Sequence, residues 1–220
     1  VCQHFLDHGY DFYALDLRKC GRSIISPEQD QYKYYSSDLY EYHEEISLAI
    51  EHIIQQAKNE KRKIVLLGHS TGGLTVTLYA RKGARRSDID ALILNSPYLA
   101  SLETTFSESI QMKLLMKLHL TVNVDAGWYG RSLHVSDHGE WNFDLTKMPI
   151  DTFRLHGAFF RTVAAAQQEL IKSPISIECP ILLLCSDQSI KPGKTWNDDY
   201  AESKRFFFFT HETKNVVLYL

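Results

Sequence analysis

The sequence lacks the features that mark several classes of protein. Its 220 residues include four cysteines, at positions 2, 20, 179 and 185, and none has the C-x-x-C spacing of a structural zinc site. No apolar run approaches the roughly 18 residues of a membrane-spanning helix, and no charged segment followed by an apolar one marks a signal peptide. We therefore expect reduced, structural cysteines, no stable membrane insertion and, by default, a cytoplasmic location.

The sequence also lacks an excess of charge of either sign. It has 24 basic and 27 acidic residues, for a formal net charge of -3. This balance gives no electrostatic reason to expect nucleic acid or an anionic membrane as a partner. Because 44% of the residues are hydrophobic and 12% are aromatic, the chain can bury a sizeable core. We predict a single domain over residues 1–220.

Four short apolar runs alternate with segments of helical periodicity. The runs end in turn or polar residues, as buried parallel strands do, and the segments between them place apolar residues on one face. Such alternation predicts an α/β fold, with a mostly parallel sheet and helices on both faces. The predicted strands are 12–15, 64–67, 91–94 and 181–184, and the predicted helices include 73–82, 156–172 and one that starts near a capping box of Asp38 and Glu41.

The predicted helix that starts near Asp38 and precedes the 64–67 run has a clear apolar face. Its members are Leu39, Tyr42, Ile46, Ile50, Ile53 and Ile54. A long segment at about 99–155 interrupts the alternation, and insertions of this length in compact domains often form lids or binding loops. Its helical piece carries Met112, Leu114, Leu115, Met116 and Leu118, which fit either an acyl-binding surface or ordinary core packing.

The segment 68–73 reads GHSTGG and contains a G-x-S-x-G pattern. It follows a predicted strand and precedes a predicted helix, which is the context of a nucleophile elbow. In such a turn the glycines allow a sharp change of direction, Ser70 is lifted above the sheet edge, and the Thr71 N–H faces the developing oxyanion. The pattern therefore predicts Ser70 as a catalytic nucleophile, whereas the alternative is a structural Gly/Ser turn. His69 points away from the serine in such turns and is interpreted as a packing residue.

The serine needs a general base and an acid that orients it. Asp187 lies two residues beyond the 181–185 run, at the carboxyl end of a predicted strand, where such sheets place functional groups. The alternative is a turn-capping aspartate. In the chain order Ser, Asp, His, the base must follow Asp187, and His211 is the histidine that does so. A solvent-exposed terminal histidine is the alternative there.

A second cluster of chemically active residues lies at 134–140. His134, Asp137, His138 and Glu140 are residue types that bind zinc or another divalent ion. The segment has no strong helical pattern and no H-E-x-x-H motif, so a polar lid surface is the favoured interpretation. We expect no metal and no cofactor.

Several motifs in order resemble one group of proteins. Residues 16–23, DLRKCGRS, are similar to the D-x-R-G-x-G-x-S loop of the monoacylglycerol lipase and serine aminopeptidase-like α/β-hydrolases, and the elbow follows in its place. Two later segments resemble landmarks of the lysophospholipase-like branch. They are LNSPYL at 94–99, and Ser186-Asp187 followed by KPG at 191–193. The resemblance covers roughly residues 1–200. It implies an α/β-hydrolase fold with a lid insertion.

The sequence departs from that group at three places. Lys19 replaces a glycine of the early loop, the early HG-type oxyanion segment has no counterpart, and residues 204–220 no longer resemble the group. We therefore expect the chain to be a fragment that lacks the first strands of the fold. Only the Thr71 N–H can then be assigned as an oxyanion donor, and we expect weak or no turnover by the chain alone. The oligomeric state is left open.

The resemblance implies a serine hydrolase acting on a small-molecule or lipid ester. Ser70 would attack the acyl carbon, and a histidine oriented by Asp187 would transfer the proton. Two alternatives stay open. One is a serine aminopeptidase-like peptidase with the same residues, and the other is a catalytically inactive hydrolase-fold protein that binds a partner.

Overall fold

A computed structural model gives the fold. The structure describes residues 1–26, 34–57, 62–100, 121–125, 131–150, 152–173, 176–185 and 216–219. All statements below concern these residues.

The described chain contains four α-helices and seven strands. Short 3-10 turns at 21–23, 39–42 and 86–88 join some of them. The helices are α1 (Cys2–Asp7), α2 (His43–Gln56), α3 (Thr71–Lys82) and α4 (Gly157–Lys172), and the strands are β1 (Phe12–Ala14), β2 (Ile64–His69), β3 (Ala91–Asn95), β4 (Thr121–Asp125), β5 (Thr152–His156), β6 (Ile181–Leu184) and β7 (Val216–Tyr219).

Five of these strands form one parallel sheet in the order β1-β7-β2-β3-β6. The register aligns Leu66 with Leu92 and Leu92 with Ile181. β7 lies between β1 and β2 and pairs with both, so the last described strand separates two strands that come early in the chain. β4 and β5 form a separate antiparallel pair. The parallel arrangement places the carboxyl ends of β1, β2, β3 and β6 at one edge.

Helices cover both faces of the sheet, as the sequence predicts. Successive strand residues point to opposite faces. On one face, Leu66 and Leu92 join the main core, which α2, α3 and α4 complete. On the other, Val65 and Leu67 pack with Phe5 of α1 in a smaller cluster. The buried members from the three long helices include Ile46, Ile50, Ile53, Leu74, Val76, Leu78, Val163, Ala166 and Leu170.

The predicted strands, and the predicted helices 73–82 and 156–172, agree with the observed ones to within about two residues. The helix predicted to start near Asp38 begins as the 3-10 turn at 39–42, and its α-helical part starts at His43. Strands β2 and β3 extend through His69 and Asn95, and α3 begins at Thr71. On α2 the predicted apolar face is buried except for Ile54, which is 39% exposed. The buried stripe consists of Ile46, Ile50, Ile53 and Ala57, and Ile54 lies about 100° around the helix from Ile53, at the flank of that stripe.

Only the Asp38 half of the predicted capping box at Asp38 and Glu41 is present. The Asp38 side chain does cap the 3-10 turn, because its Oδ1 accepts the Tyr40 N–H at 3.0 Å. The Glu41 carboxylate, however, accepts the hydroxyl of Ser37 and, at 3.3 Å, that of Ser36. These hydroxyls are better placed donors than the Asp38 backbone, and they hold the pKa of Glu41 below its ordinary value against the opposing effect of burial.

The four cysteines are free thiols, as expected, but only part of the structural interpretation holds. Cys2 and Cys185 are exposed, so they do not contribute to a core. Cys20 is the most enclosed, and burial, with the nearby Asp16 carboxylate, raises the pKa of its thiol to about 11. That thiol therefore stays protonated and unreactive at neutral pH. No described helix combines the length and apolar character that a bilayer crossing requires.

Candidate active site

The elbow at 68–73 occupies the junction between β2 and α3, at the carboxyl edge of the sheet. Ser70 adopts φ 53° and ψ -118° and is the cap of α3. This left-handed value is costly for a residue with a side chain, on the order of 1–3 kcal/mol, and persists only where the surroundings impose it. The predicted sharp turn is therefore present, and the strain is concentrated in the serine itself.

The elbow glycines are required by close backbone approach. A Cβ on Gly68 would lie 2.6 Å from the Gly72 carbonyl oxygen and 2.7 Å from the Gly73 nitrogen. A Cβ on Gly73 would lie 2.6 Å from the Pro97 Cβ. The strand can therefore turn directly into the helix, and the helix can approach the turn after β3, only where these side chains are absent.

The turn after β3 holds Ser70 in its strained conformation. The Ser70 N–H donates to the Asn95 carbonyl at 3.1 Å, and the Tyr98 N–H donates to the Ser70 carbonyl at 2.9 Å. Ser96, between these two contacts, also has a positive φ of 43°. Two adjacent strand ends thus carry strained serines, and their backbones are joined by hydrogen bonds.

The surroundings of Ser70 suit a developing negative charge. Thr71 is the first residue of α3, so its N–H has no acceptor within the helix, and it meets none among the described residues. The partial positive charge of the helix N-terminus adds to this donor. No side chain of the described part of the chain hydrogen-bonds the Ser70 hydroxyl. The His69 ring makes a 3.0 Å contact from Nδ1 to the Asn95 carbonyl oxygen.

Asn95 is a polar residue of this edge that the sequence did not single out. Its Oδ1 is buried and has no hydrogen-bond partner among the described residues. Its carbonyl meanwhile receives the Ser70 N–H. The available signal was its position, because a polar side chain directly after the 91–94 apolar run lies at the functional edge of the predicted sheet.

The loop after β1 reaches the same edge and is internally braced. The Asp16 carboxylate accepts the Arg22 backbone N–H at 3.2 Å and the Arg22 Nε at 2.6 Å, and the Ser23 hydroxyl donates to the Asp16 carbonyl at 2.7 Å. Gly21 has φ 49°, and a Cβ there would lie 2.6 Å from Asp16 Oδ1. The aspartate, glycine and serine of the DLRKCGRS segment therefore have structural roles.

Arg18 and Lys19 fix this loop against neighbouring elements. Arg18 donates to Glu45 of α2 from its backbone N–H at 3.1 Å and from Nε at 2.6 Å, and to Glu44 at 3.0 Å. These carboxylates raise the pKa of Arg18. Lys19, which replaces the usual glycine, has φ 60°, the backbone region that glycine adopts freely. Its ammonium lies 4.7 Å from the Tyr35 ring centroid, a favourable cation–π contact.

Comparison with known proteins identifies the family. The sequence profile of the family described as Serine aminopeptidase, S33 matches residues 1–195. The chain belongs to this family. No curated protein matches the chain significantly.

Two solved structures are similar to this S33 family member. A soluble variant of the monoglyceride lipase of Saccharomyces cerevisiae, in complex with a substrate analog, is similar over 76% of this chain and 56% of its own, with 20% identity and a TM-score of 0.56. The monoacylglycerol lipase of Paleococcus ferrophilus is 26% identical over 66% of this chain and 53% of its own, with a TM-score of 0.45. The chain thus spans about half the length of these structures. The predicted α/β-hydrolase fold is confirmed.

Three predictions for the S33 site lie on residues that the structure leaves undescribed. Asp187 and His211 fall within 186–215, outside the described residues. Much of the predicted lid at 99–155, including its apolar helical piece, also lies outside them. The acid, the base and the lid therefore stay predictions.

The cluster at 134–140 is described, and its contacts account for it without a metal. His134 is 5% exposed. Its Nδ1 accepts the Ser136 N–H at 3.1 Å, which leaves the proton on Nε2 to donate to the Phe143 carbonyl at 3.1 Å. His138 contacts Asp137 at 2.9 Å. Within the described residues, no group of three His, Cys, Asp or Glu side chains is arranged to hold a metal ion.

Proposed function

We propose that this S33 family member is a serine hydrolase that cleaves carboxylic esters of lipids or small acyl groups, with Ser70 as the nucleophile. The observation that carries the proposal is the positive φ of Ser70 at the junction of β2 and α3. Stored backbone strain persists where surrounding contacts enforce it, and it concentrates at functional sites. The close approach of Gly68 to Gly72 and the contact of Gly73 with Pro97 supply that enforcement.

The proposed reaction proceeds through an acyl-enzyme. Ser70 Oγ attacks the ester carbonyl carbon while a histidine accepts its proton, and the Thr71 N–H and the helix N-terminus stabilise the resulting oxyanion. The intermediate collapses, the alcohol leaves with the proton from the histidine, and water then hydrolyses the acyl-enzyme. By chain order we assign the histidine as His211, oriented by Asp187.

A peptidase acting on small N-terminal residues is the second candidate, since the matched family is described as a serine aminopeptidase. Such an enzyme needs an anionic group to hold the substrate's ammonium. The lipase-like motifs of the sequence favour the ester substrate instead.

Labelling with a fluorophosphonate tests the nucleophile, because the probe reacts once with an activated serine and does not require turnover. We expect the 220-residue chain to be labelled at Ser70 and the Ser70→Ala variant to be unlabelled. Ser96→Ala is the matched control, since Ser96 also has a positive φ at the neighbouring strand end and should leave labelling intact. A wild-type chain without label would overturn the nucleophile assignment and favour a hydrolase-fold binding protein.

Paired substrates test the bond that is cleaved. Acyl p-nitrophenyl esters report esterase activity, and aminoacyl p-nitroanilides report aminopeptidase activity. We expect any turnover by this chain to be weak and to be faster for the esters. Faster turnover of the anilides, lost in Ser70→Ala, would replace the esterase assignment with the peptidase one.

A further inference from the structure

One buried polar side chain connects a distant helix to the elbow. Gln167 lies on α4, five residues after Thr162, and is only 6% exposed. It occupies the apolar face of α4, where its neighbours in the core are Val163, Ala166 and Leu170. A buried amide on such a face is costly unless it is hydrogen-bonded, so its partner is structurally significant.

The partner of Gln167 is the turn that holds Ser70. Gln167 Nε2 donates to the Tyr98 carbonyl at 2.9 Å. The backbone N–H of Tyr98 donates to the Ser70 carbonyl, also at 2.9 Å. Both polar groups of the Tyr98 backbone are therefore engaged, one by α4 and the other by the elbow.

This arrangement leads to an inference that rests on the proposed function of Ser70. We infer that Gln167 is a positioning residue for the nucleophile: through Tyr98 it sets the position of the strained Ser70 backbone, and hence the direction of Ser70 Oγ. Gln167 itself touches no reacting atom in this arrangement. It acts because Ser70 keeps its positive φ only while the 96–98 turn is held in place.

The structure also explains why local contacts are insufficient for this role. Ser96 has a positive φ, so the turn is itself strained and does not define its own geometry. The incoming side of the turn is held by the Ser96 N–H, which donates to the Leu184 carbonyl at 2.7 Å, and by the close approach of Pro97 to Gly73. The Gln167 hydrogen bond supplies a polar restraint at Tyr98, where the chain leaves the turn, from a helix residue that lies 69 positions further along the chain.

Gln167→Met tests the inference, because methionine keeps the length of the side chain and removes the donor. Thr162→Val is the matched control. Thr162 is equally buried on the same helix, and its hydroxyl donates to the Ser37 carbonyl at 3.0 Å and to the Ser36 carbonyl at 3.2 Å, away from the elbow. Both variants remove one buried side-chain hydrogen-bond donor from α4, so a general loss of helix packing affects both.

Two readouts separate positioning from stability. We expect Gln167→Met to lower the fluorophosphonate labelling rate at Ser70 about tenfold, since misplacement of a reacting group by a fraction of an ångström carries penalties of this order. We also expect faster hydrogen exchange of the Tyr98 amide in this variant. Thr162→Val should change neither, even where its unfolding midpoint falls by a similar amount.

The outcomes distinguish this inference from the proposed function. If the wild-type chain is labelled and Gln167→Met is labelled equally fast, the positioning role is refuted while the nucleophile stands. If the wild-type chain is not labelled, the nucleophile assignment fails. The hydrogen exchange of the Tyr98 amide then tests whether Gln167 holds the turn at Tyr98 in place. Equal Tyr98 exchange in Gln167→Met and Thr162→Val would then overturn that role.

Discussion

Gly73→Ala is the sharpest structural test of the elbow. Replacing a glycine within a helix by alanine ordinarily stabilises it, by up to about 1 kcal/mol. Here the new Cβ would lie 2.6 Å from the Pro97 Cβ and 2.9 Å from its Cα, against an ordinary contact distance of 3.4 Å or more. The proline ring and backbone cannot rotate away as a flexible side chain would, so α3 and the turn must separate by at least the missing 0.8 Å.

That separation has a calculable cost. A shift of 0.8 Å along the bond from the Tyr98 N–H to the Ser70 carbonyl would lengthen it from 2.9 to 3.7 Å, beyond hydrogen-bond range. The lost bond costs about 1 kcal/mol, and overpacking costs about 1–3 kcal/mol. After the gain in helix propensity, we expect Gly73→Ala to lower the free energy of unfolding by about 1–3 kcal/mol.

Urea denaturation of four proteins measures this effect: wild type, Gly73→Ala, Pro97→Gly and the double variant. Pro97→Gly removes the Cβ, which is the nearer of the two Pro97 atoms that the new methyl group meets, and it leaves the Cα at 2.9 Å, so the clash is relieved in part. The effect of this change on the unfolded chain cancels in the double-mutant cycle. We expect a favourable coupling of at least about 1 kcal/mol between the two changes. Stabilisation by Gly73→Ala, or coupling below about 0.3 kcal/mol, would refute the reasoning.

Two further predictions concern the core beside the site. Burial lowers the pKa of His43 to about 4, and its Nε2 has no partner among the described residues. The unfolded chain therefore takes up a proton first, and stability should fall as the pH drops from 6.5 towards 4, by about 1–2 kcal/mol after allowance for partial exposure. His43→Phe should flatten this part of the pH-stability curve. His52→Gln, at an exposed position of the same helix, should leave the curve unchanged. Equal curves for the two variants would contradict the role of His43. Leu78→Ala, at a fully buried position, should lower the free energy of unfolding by about 2–5 kcal/mol. Leu48→Ala, at a 59% exposed position, should lower it by less than about 0.5 kcal/mol. Comparable urea midpoints for the two variants would contradict this prediction.

Local patterns predicted the elements that carry the site. Apolar runs bounded by polar residues located β2 and β3, since buried parallel strands require continuous hydrophobicity. The same signal located β6, but the prediction that this strand is buried is wrong, because it lies at the end of the strand order and Ile181, Leu182 and Leu183 are 43–54% exposed. The G-x-S-x-G pattern located the turn at Ser70, because only glycine at 68 permits the close approach to the backbone of Gly72. Glu41 was misassigned for the opposite reason: the choice between a backbone amide and two serine hydroxyls depends on distances that no spacing rule contains.

The position of β7 shows a limit of another kind. Its pairing with β1 and β2 joins residues separated by well over a hundred positions in the chain. Periodicity acts over one or two turns of a helix or a few strand residues, so it cannot specify which strand lies beside which. The same limit applies to Gln167, which the sequence indicates only as a polar residue on an apolar helix face.

The sequence by itself determined the α/β class, the limits of the main strands and helices, and the strained turn at Ser70, because these follow from hydrophobic periodicity and from the sterics of glycine. Only the tertiary structure decided how that turn is held. The Asn95 carbonyl and the Tyr98 N–H bond to the Ser70 backbone, and the Gln167 amide bonds in turn to the Tyr98 carbonyl. Their hydrogen bonds depend on distances within about 0.5 Å, which arise when the sheet and helices pack together.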